Sequence, residues 1–385
     1  MQQHPFGLQS GGIYIGRVWR PGIGPSVVHL RDGQIWDITC RKVPTVAALF
    51  EERDIQSTLT SIPGNLVCSL EELEQSLLEA NCSPDHLHLL APCDLQAIKA
   101  AGVTFAKSMI ERVIEERAAG DFTRAAAIRE HVSEIIGGSL KDIEPGSKQS
   151  EQVKKVLETE GLWSQYLEVG IGPDAEVFTK AQPLSAVGSY AKVGLHPVSK
   201  WNNPEPEIVL AVSSDGAIRG ATLGNDVNLR DVEGRSALLL GKAKDNNASA
   251  AIGPFIRIFD AGFTLEEVKR ADIKLRIEGT DGFVLEENCA MSEISRSPES
   301  IVSQTLGPHH QYPDGMMLYL GSMFAPIKDR DTPGQGFTHK LDDFVSVSTS
   351  SLGELRNRVS LSTECPAWTF GARALMKNLA ERQML

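Results

Sequence analysis

No apolar stretch of the 385-residue chain is long enough to cross a membrane. A spanning helix needs about 20 mostly apolar residues, and polar or charged side chains interrupt each hydrophobic stretch sooner. The first residues, Met-Gln-Gln-His-Pro-Phe-Gly, also lack the basic and apolar regions of a signal peptide. We therefore expect a cytoplasmic protein that has no membrane partner.

Basic clusters and paired cysteines are missing too. The chain carries 38 Lys and Arg against 50 Asp and Glu, a formal net charge of −12, and has no basic run. Nucleic acid is therefore not an expected partner. The six cysteines form no Cys-x-x-Cys pair, and the nine histidines form no His-Glu-x-x-His motif. These patterns disfavour a disulfide framework or a zinc site and favour reduced thiols.

Two carboxylates stand one residue apart in the segment Pro-Glu-Pro-Glu-Ile-Val-Leu at 204–210. Side chains two residues apart in a strand project to the same face, so Glu205 and Glu207 point together. Like charges on one face raise each other's pKa unless a cation lies between them. A hard divalent cation, which prefers oxygen ligands, would satisfy both.

A predicted hairpin brings a third carboxylate to this place. The strand ends in Ser-Ser-Asp-Gly, a turn signal, and an apolar return strand follows. The return strand ends at Asp226, which can then complete an oxygen triad with Glu205 and Glu207. The next segment, Gly-Lys-Ala-Lys-Asp-Asn-Asn, carries Lys242 and Lys244 towards the same end of the sheet.

These blocks together resemble the fumarylacetoacetate hydrolase family. Pro-Glu-Pro-Glu before a strand, Leu-Gly-Asn-Asp-x-x-x-Arg-Asp after the hairpin, and a Gly-Lys segment before Gly-Pro have the family's order and spacing. The resemblance implies an α+β fold with a β-rich mixed β-roll, and a small-molecule substrate. It also implies a homodimer or dimer of dimers, and a bound Mg²⁺, with Mn²⁺ or Ca²⁺ as alternatives. The implied metal ligands are Glu205, Glu207 and Asp226. The implied active-site lysine is Lys244, and Lys242 is the competing choice.

A predicted helix at 104–117 carries a departure from the family. Shorter hydrolases of the family have Asn-Tyr-x-x-His-x-x-Glu there, whereas this chain has Thr-Phe-x-x-Ser108-x-x-Glu111. Histidine supplies a water-activating base near neutral pH and serine does not, which disfavours hydrolysis of a carbon–carbon bond. The chain is instead similar to the family's dehydratases of 2-keto-3-deoxy-pentonate (arabinonate or xylonate), whose product is 2,5-dioxopentanoate in non-phosphorylating pentose breakdown.

The resemblance suggests a role for each remaining candidate. Lys244, with its pKa lowered by burial and a nearby cation, would remove a C3 proton. Glu111 would protonate the departing C4 hydroxyl, and Ser108 would assist by hydrogen bonding. Candidates for substrate binding are Ser322, which occupies the place of the family's Thr-Gly-Thr-Pro, Lys180 and Asp245.

Two other functions stay open from the residues alone. A diketo-acid, acylpyruvate-type hydrolase would be favoured if another histidine, such as His196, took the place of the missing base. A catalytically silent sugar-acid-binding protein would keep the carboxylates without turnover. Lys244 argues against this second alternative, because a binding module has no need for a lysine beside a metal ion.

The pattern of elements predicts two parts in the chain. Residues 1–88 are expected to form a small N-terminal α/β domain, and residues 89–385 the catalytic domain. Within the catalytic domain, 112–165 is predicted as a helical insertion, and 167–171 as a short strand.

Overall fold

The structure is a computed structural model, and its described residues are 5–80, 82–119, 121, 124, 143–159, 161, 163–324, 326–333 and 336–385. Among these, the side chains of residues 79, 80, 106–108, 110 and 115 are outside the description. Much of the predicted insertion therefore lies outside the described residues.

The described part is rich in short strands, as the frequent turn signals predict. The strands are β1 (Tyr14–Arg20), β2 (Gly24–Arg31), β3 (Gln34–Asp37), β4 (Asn65–Ser69), β5 (His88–Leu90), β6 (Ala97–Ala101), β7 (Val177–Ala181), β8 (Lys192–Leu195), β9 (Pro206–Val212), β10 (Ile218–Asp226), β11 (Ala250–Ile258), β12 (Asp272–Glu278), β13 (Val284–Ala290), β14 (Met316–Tyr319), β15 (Phe344–Thr349) and β16 (Gly353–Leu361).

Helices lie between these strands. They are α1 (Val46–Phe50), α2 (Ile55–Ser61), α3 (Leu70–Ala80), α4 (Ala106–Ala118), α5 (Lys148–Thr159), α6 (Gln165–Ile171), α7 (Arg230–Glu233), α8 (Leu240–Lys244), α9 (Leu265–Lys269), α10 (Pro298–Thr305) and α11 (Ala372–Glu381). In the described part of the chain, no helix combines the length and apolar character that a membrane span requires.

Two mixed sheets form the framework. The first has the order β4-β3-β2-β1-β11-β10-β9-β14-β6-β7, with β5 beside β1, and the second has the order β13-β12-β15-β16-β8. Most neighbours are antiparallel, whereas β14 is parallel to β6 and β16 is parallel to β8. This arrangement confirms the predicted α+β class. The N-terminal strands join the central sheet through β1 and β11; the division at residue 88 stays a prediction.

Strand β9 is buried along its whole length because it lies between two hydrophobic cores. Ile208 and Leu210 belong to the core that also contains Leu275 and Val347 of the second sheet. Val209 belongs to a core on the opposite face of the first sheet. The two-residue period of a strand accounts for this alternation. It also places Glu205 and Glu207 on the face of Val209, at the beginning of a rigid, buried strand.

One predicted strand is wrong. Residues 167–171 belong to helix α6, which begins after Ser164, whose hydroxyl accepts hydrogen bonds from the Tyr166 and Leu167 N–H groups. A short apolar run has no periodicity that separates strand from helix. Here the serine cap and the packing of Leu167 and Ile171 with Met109 of α4 stabilise the helical conformation.

Candidate active site

Three buried carboxylates meet where β9 begins and β10 ends. The antiparallel register sets Gly224 opposite Glu207, and the next backbone hydrogen bond runs from Asp226 N–H to the Glu205 carbonyl. One carboxylate oxygen from each of Glu205, Glu207 and Asp226 lies within 4.8 Å of the other two. The Glu205 backbone N–H donates to the Asn225 side chain at 3.1 Å, which fixes the entry to the strand. The predicted oxygen triad therefore assembles.

These carboxylates fit a hard divalent cation. The Oε2 atom of Glu207 accepts the Gly321 N–H at 2.8 Å, whereas its Oε1 is buried and has no hydrogen-bond partner among the described residues. Burial raises the pKa of Glu207, and the neighbouring Asp226 and Glu205 raise it further. Such an unpaired oxygen beside two other carboxylates is a ligand set that Mg²⁺, Mn²⁺ or Ca²⁺ prefers.

Helix α8 brings Lys244, not Lys242, to the carboxylates. The Lys244 Nζ pairs with Glu205 Oε2 and lies 3.1 Å from Asp226 Oδ2, whereas Lys242 is exposed. Burial by itself would lower the pKa of Lys244, but Asp226 and Glu205 outweigh it and hold the pKa well above its ordinary value. The two carboxylates around the amine thus act against the expected lowering, which relied on a nearby cation and stays a prediction.

Lys180 is fully buried, which is not the environment expected of a group that binds substrate. Its Nζ lies 2.7 Å from Asp226 Oδ1 and also donates to the main-chain carbonyls of Val227 and Lys244. Burial lowers the pKa of Lys180, and Asp226 opposes that shift. In turn Lys180 and Lys244 overcome the effect of burial on Asp226 and hold its pKa below the ordinary value. These contacts favour a role in holding Asp226 over the predicted role in holding a substrate carboxylate.

Glu111, the predicted acid, pairs with Arg230 of α7, at 3.2 Å between Oε2 and Nη2. Its neighbour Arg112 pairs with Glu205 and, at 2.8 Å, with Glu233 of α7. All of these side chains are buried. The Glu111–Arg230 and Arg112–Glu233 pairs both connect α4 with α7, so they hold α4 against the site.

A small pocket opens beside the triad, and a residue that the sequence interpretation missed contributes to it. Its lining includes Arg112, Glu176, Lys244 and Ser322. The Glu176 carboxylate lies against Gly102, where an added Cβ would come within 1.8 Å of Glu176 Oε2. Burial raises the pKa of Glu176, although Arg112 and Lys244 oppose the shift. The pocket thus places a carboxyl group with a raised pKa near the lysine.

The remaining predicted residues divide between pocket and surface. Ser322, which follows Gly321, is buried, and its hydroxyl donates to the Phe324 carbonyl at 3.4 Å. Asp245 is exposed just after α8. Ser108 belongs to α4, but its side chain lies outside the described residues. The roles of all three stay predictions.

No histidine among the described residues lines this pocket. His196, the candidate replacement for the missing base, lies in a turn where its Nδ1 accepts the Val198 N–H at 3.1 Å. The structure therefore gives no support to His196 as a base at the carboxylates. His131 lies outside the described residues.

Glu176 could have been found from the strand period, whereas Arg112 could not. Glu176, Phe178 and Lys180 share one face of the segment that becomes β7, because they are two residues apart. Phe178 also lines the pocket, and Lys244 Nζ lies 5.8 Å from the centre of its ring. Arg112 reaches Glu205 only because α4 packs across the sheet end, and no local pattern encodes that packing.

Curated relatives of this chain are dehydratases of sugar acids. The chain is 30% identical over 183 residues to the 2-dehydro-3-deoxy-D-arabinonate dehydratase of Saccharolobus solfataricus, a match that covers 47% of this chain and 57% of the relative. It is 28% identical over 211 residues to the probable 2-keto-3-deoxyxylonate dehydratase of Haloferax volcanii, covering 55% of this chain and 68% of the relative. The chain therefore spans little more than half the length of the first relative. No family model matches it.

Solved structures show the same fold at low identity. A 2-keto-3-deoxy-D-arabinonate dehydratase complexed with magnesium and 2,5-dioxopentanoate superposes with a TM-score of 0.61 at 20% identity, covering 90% of this chain and 99% of that one. The fumarylacetoacetate hydrolase of Exiguobacterium antarcticum gives a TM-score of 0.54 at 15% identity, covering 91% and 99%. These similarities and those of the curated relatives confirm the resemblance to fumarylacetoacetate hydrolase-type proteins, including dehydratases.

Proposed function

We propose, from the fumarylacetoacetate hydrolase-type fold that this chain shares, that it is a metal-dependent hydro-lyase acting on a 2-keto-3-deoxy sugar acid. The proposed reaction converts 2-keto-3-deoxy-pentonate to 2,5-dioxopentanoate with loss of water, in non-phosphorylating pentose breakdown. The observation that carries the proposal is the pocket itself, which is lined by Lys244, Glu176 and the Glu205 member of the buried carboxylate triad, and by no histidine among the described residues.

The triad of Glu205, Glu207 and Asp226 would hold Mg²⁺, with Mn²⁺ or Ca²⁺ as alternatives. When bound, such an ion supplies a Lewis acid that polarises the 2-keto group. A magnesium ion is present with product in the dehydratase structure of the same fold, which supports this choice.

Lys244 is the group proposed to take the C3 proton. Its amine lies between Glu205 and Asp226 and faces the pocket, so a substrate anchored at the triad would come within its reach. Those carboxylates by themselves favour the protonated amine. A divalent cation on the same oxygens would oppose their effect and favour the neutral base.

Glu176 is the group proposed to give a proton to the departing C4 hydroxyl. Its carboxyl is partly shielded from water, and its raised pKa keeps a larger fraction protonated than an ordinary glutamate would have. Glu111 was expected in this role, but its pairing with Arg230 makes it less suited than Glu176. After water leaves, a proton moves from C5 to C3, which gives an enol at C4 and C5. The hydroxyl proton of this enol then moves to C4, and C5 becomes the aldehyde of the product.

The proposal is tested by NMR of the purified protein with Mg²⁺ and 2-keto-3-deoxy-arabinonate. Appearance of 2,5-dioxopentanoate is expected, together with its loss in Glu205→Gln and Glu207→Gln variants. Full turnover by either variant would overturn the metal-dependent mechanism.

The same experiment separates the alternatives. Release of pyruvate from a 2,4-diketo acid, with no dehydration of the sugar acid, would identify a hydrolase instead. Saturable binding of the sugar acid without any product would identify a silent binding protein. Homo-oligomerisation and a cytoplasmic location stay predictions, which sedimentation and cell fractionation would test.

A further inference from the structure

Two crossed ion pairs join helix α4 to helix α7. Glu111 and Arg112 are consecutive on α4, and their partners Arg230 and Glu233 are three residues apart on α7. The Arg230–Glu111 pair has a nitrogen–oxygen distance of 3.2 Å, and the Arg112–Glu233 pair has one of 2.8 Å. All four side chains are buried. The two pairs therefore connect α4 to α7 at two points.

Arg112 extends this arrangement to the carboxylate triad. Its Nη1 contacts Glu233, while its Nη2 contacts Glu205 Oε1. Lys244 contacts the other oxygen of Glu205. The planar guanidinium has a fixed fork of donors and can hold two carboxylates at a set angle, which a lysine ammonium cannot do. One arginine therefore connects the docked helix with a candidate metal ligand.

We propose that Arg112 is a positioning residue that sets the Glu205 carboxylate for cation binding, and that Glu233 holds Arg112 in place for this task. The docking of α4 and the affinity of the triad for a divalent cation are then coupled through a single guanidinium. The inference rests on the proposed metal site, but it does not depend on the proposed dehydration.

Removal of partners that orient a metal ligand commonly weakens metal binding by roughly 10- to 100-fold. Electrostatics alone predicts the opposite for Arg112, because deleting a positive charge next to the triad would attract a cation more strongly. The two effects have opposite signs, so a measured affinity decides between them.

The experiment measures Mn²⁺ binding to the metal-stripped full chain by electron paramagnetic resonance and calorimetry, without substrate. Arg112→Met and Glu233→Gln are each expected to weaken binding by about tenfold or more. Arg112→Lys keeps the charge but loses the fork, so positioning predicts a loss for this variant too. The double variant Arg112→Met with Glu233→Gln should be no weaker than Arg112→Met alone, because both changes break the same connection.

A half-buried ion pair elsewhere in the fold supplies the control. Asp37 of β3 pairs with Arg20 of β1 at 2.6 Å, and Asp37→Asn should lower the unfolding midpoint while leaving the Mn²⁺ affinity unchanged. Circular dichroism checks that every variant is folded. Wild-type or tighter Mn²⁺ binding in folded Arg112→Met and Arg112→Lys would overturn the inference. Absence of binding in the wild type would instead refute the metal site.

Discussion

Lys242 and Lys244 lie two positions apart in the same short helix, yet only Lys244 reaches the carboxylates. Two residues correspond to about 200° around a helix, so one side chain points inward and the other outward. Side-chain direction therefore assigns different environments to two lysines that look equivalent in the sequence.

Replacing Lys244 tests its chemical role. Lys244→Met is expected to lower kcat by about 10²- to 10⁴-fold, the usual contribution of an acid–base group. Mn²⁺ affinity should be kept or increased, since the carboxylates lose a competing cation. Lys242→Met, a change of the same kind on the exposed side of α8, should leave both quantities unchanged in steady-state and binding assays. Normal turnover by Lys244→Met would remove this residue from the mechanism.

Cation binding at the triad should depend on pH through Glu207. Its pKa is raised, by burial first and then by Asp226 and Glu205. A protonated carboxyl must lose its proton to become a ligand, so affinity for Mn²⁺ falls as the pH drops below this raised pKa. Calorimetry in buffers of different ionisation enthalpy should detect proton release on binding. Binding that is independent of pH and releases no proton would contradict this.

At the scale of elements, strand β7 and the end of β6 form one wall of the site. Glu176, Phe178 and Lys180 lie on the same face, so one strand supplies a carboxylate to the pocket, an aromatic wall and a buried counter-ion for Asp226. The N–H of Gly102, just after β6, donates a backbone hydrogen bond at 3.0 Å to the carbonyl of Glu176, just before β7. The absence of a Cβ at this position leaves room for the Glu176 carboxylate.

Gly102→Ala tests whether this close approach serves the reaction. The new Cβ would overlap Glu176 Oε2 at 1.8 Å and must displace the carboxylate. We expect a loss of kcat close to that of Glu176→Gln, of roughly 10²-fold or more, while Mn²⁺ affinity stays near the wild-type value. Gly241→Ala in α8 is the matched control, because an added Cβ there meets no atom within 4 Å. Equal activities of the two alanine variants would argue against the proposed role of Glu176.

At the scale of the whole molecule, the triad links strands whose side chains enter two different cores. Asp226 is the last residue of β10, Glu207 is the second residue of β9, and the Gly321 N–H after β14 donates to Glu207. Lysine and arginine side chains pair with Glu205 and Asp226, whereas Glu207 forms no ion pair among the described residues. Burying an unpaired carboxylate there is costly. A bound cation should therefore stabilise the central sheet and not only the pocket.

Thermal unfolding in the presence of metal tests whether a bound cation stabilises the folded protein. A ligand that binds only the folded state at 100 times its dissociation constant adds about 2.7 kcal/mol of stability, which should raise the unfolding midpoint by a few degrees. Adding a chelator should reverse the shift, and Glu207→Gln should show a much smaller one. A midpoint that does not respond to saturating Mg²⁺ or Mn²⁺ would mean that the triad holds no metal in the folded protein.

Much of this protein could be predicted from local sequence because local rules govern those parts. The two-residue period of a strand places Glu205 and Glu207 on one face, and the turn after β9 returns Asp226 to them through an antiparallel register. The same period, continued back from Lys180, would have found Glu176. These relations need only the geometry of a strand and its neighbour.

Other features arise only when distant elements pack together. Helix α6 replaced an expected strand because its apolar side chains meet α4, and Lys180 became a counter-ion because β7 lies against the end of β10. The contacts of Arg112 with Glu205 and Glu233 join residues far apart in sequence. Charge pairing of this kind depends on the distances that tertiary packing sets, so the sequence determined the carboxylate triad and the tertiary structure decided what surrounds it.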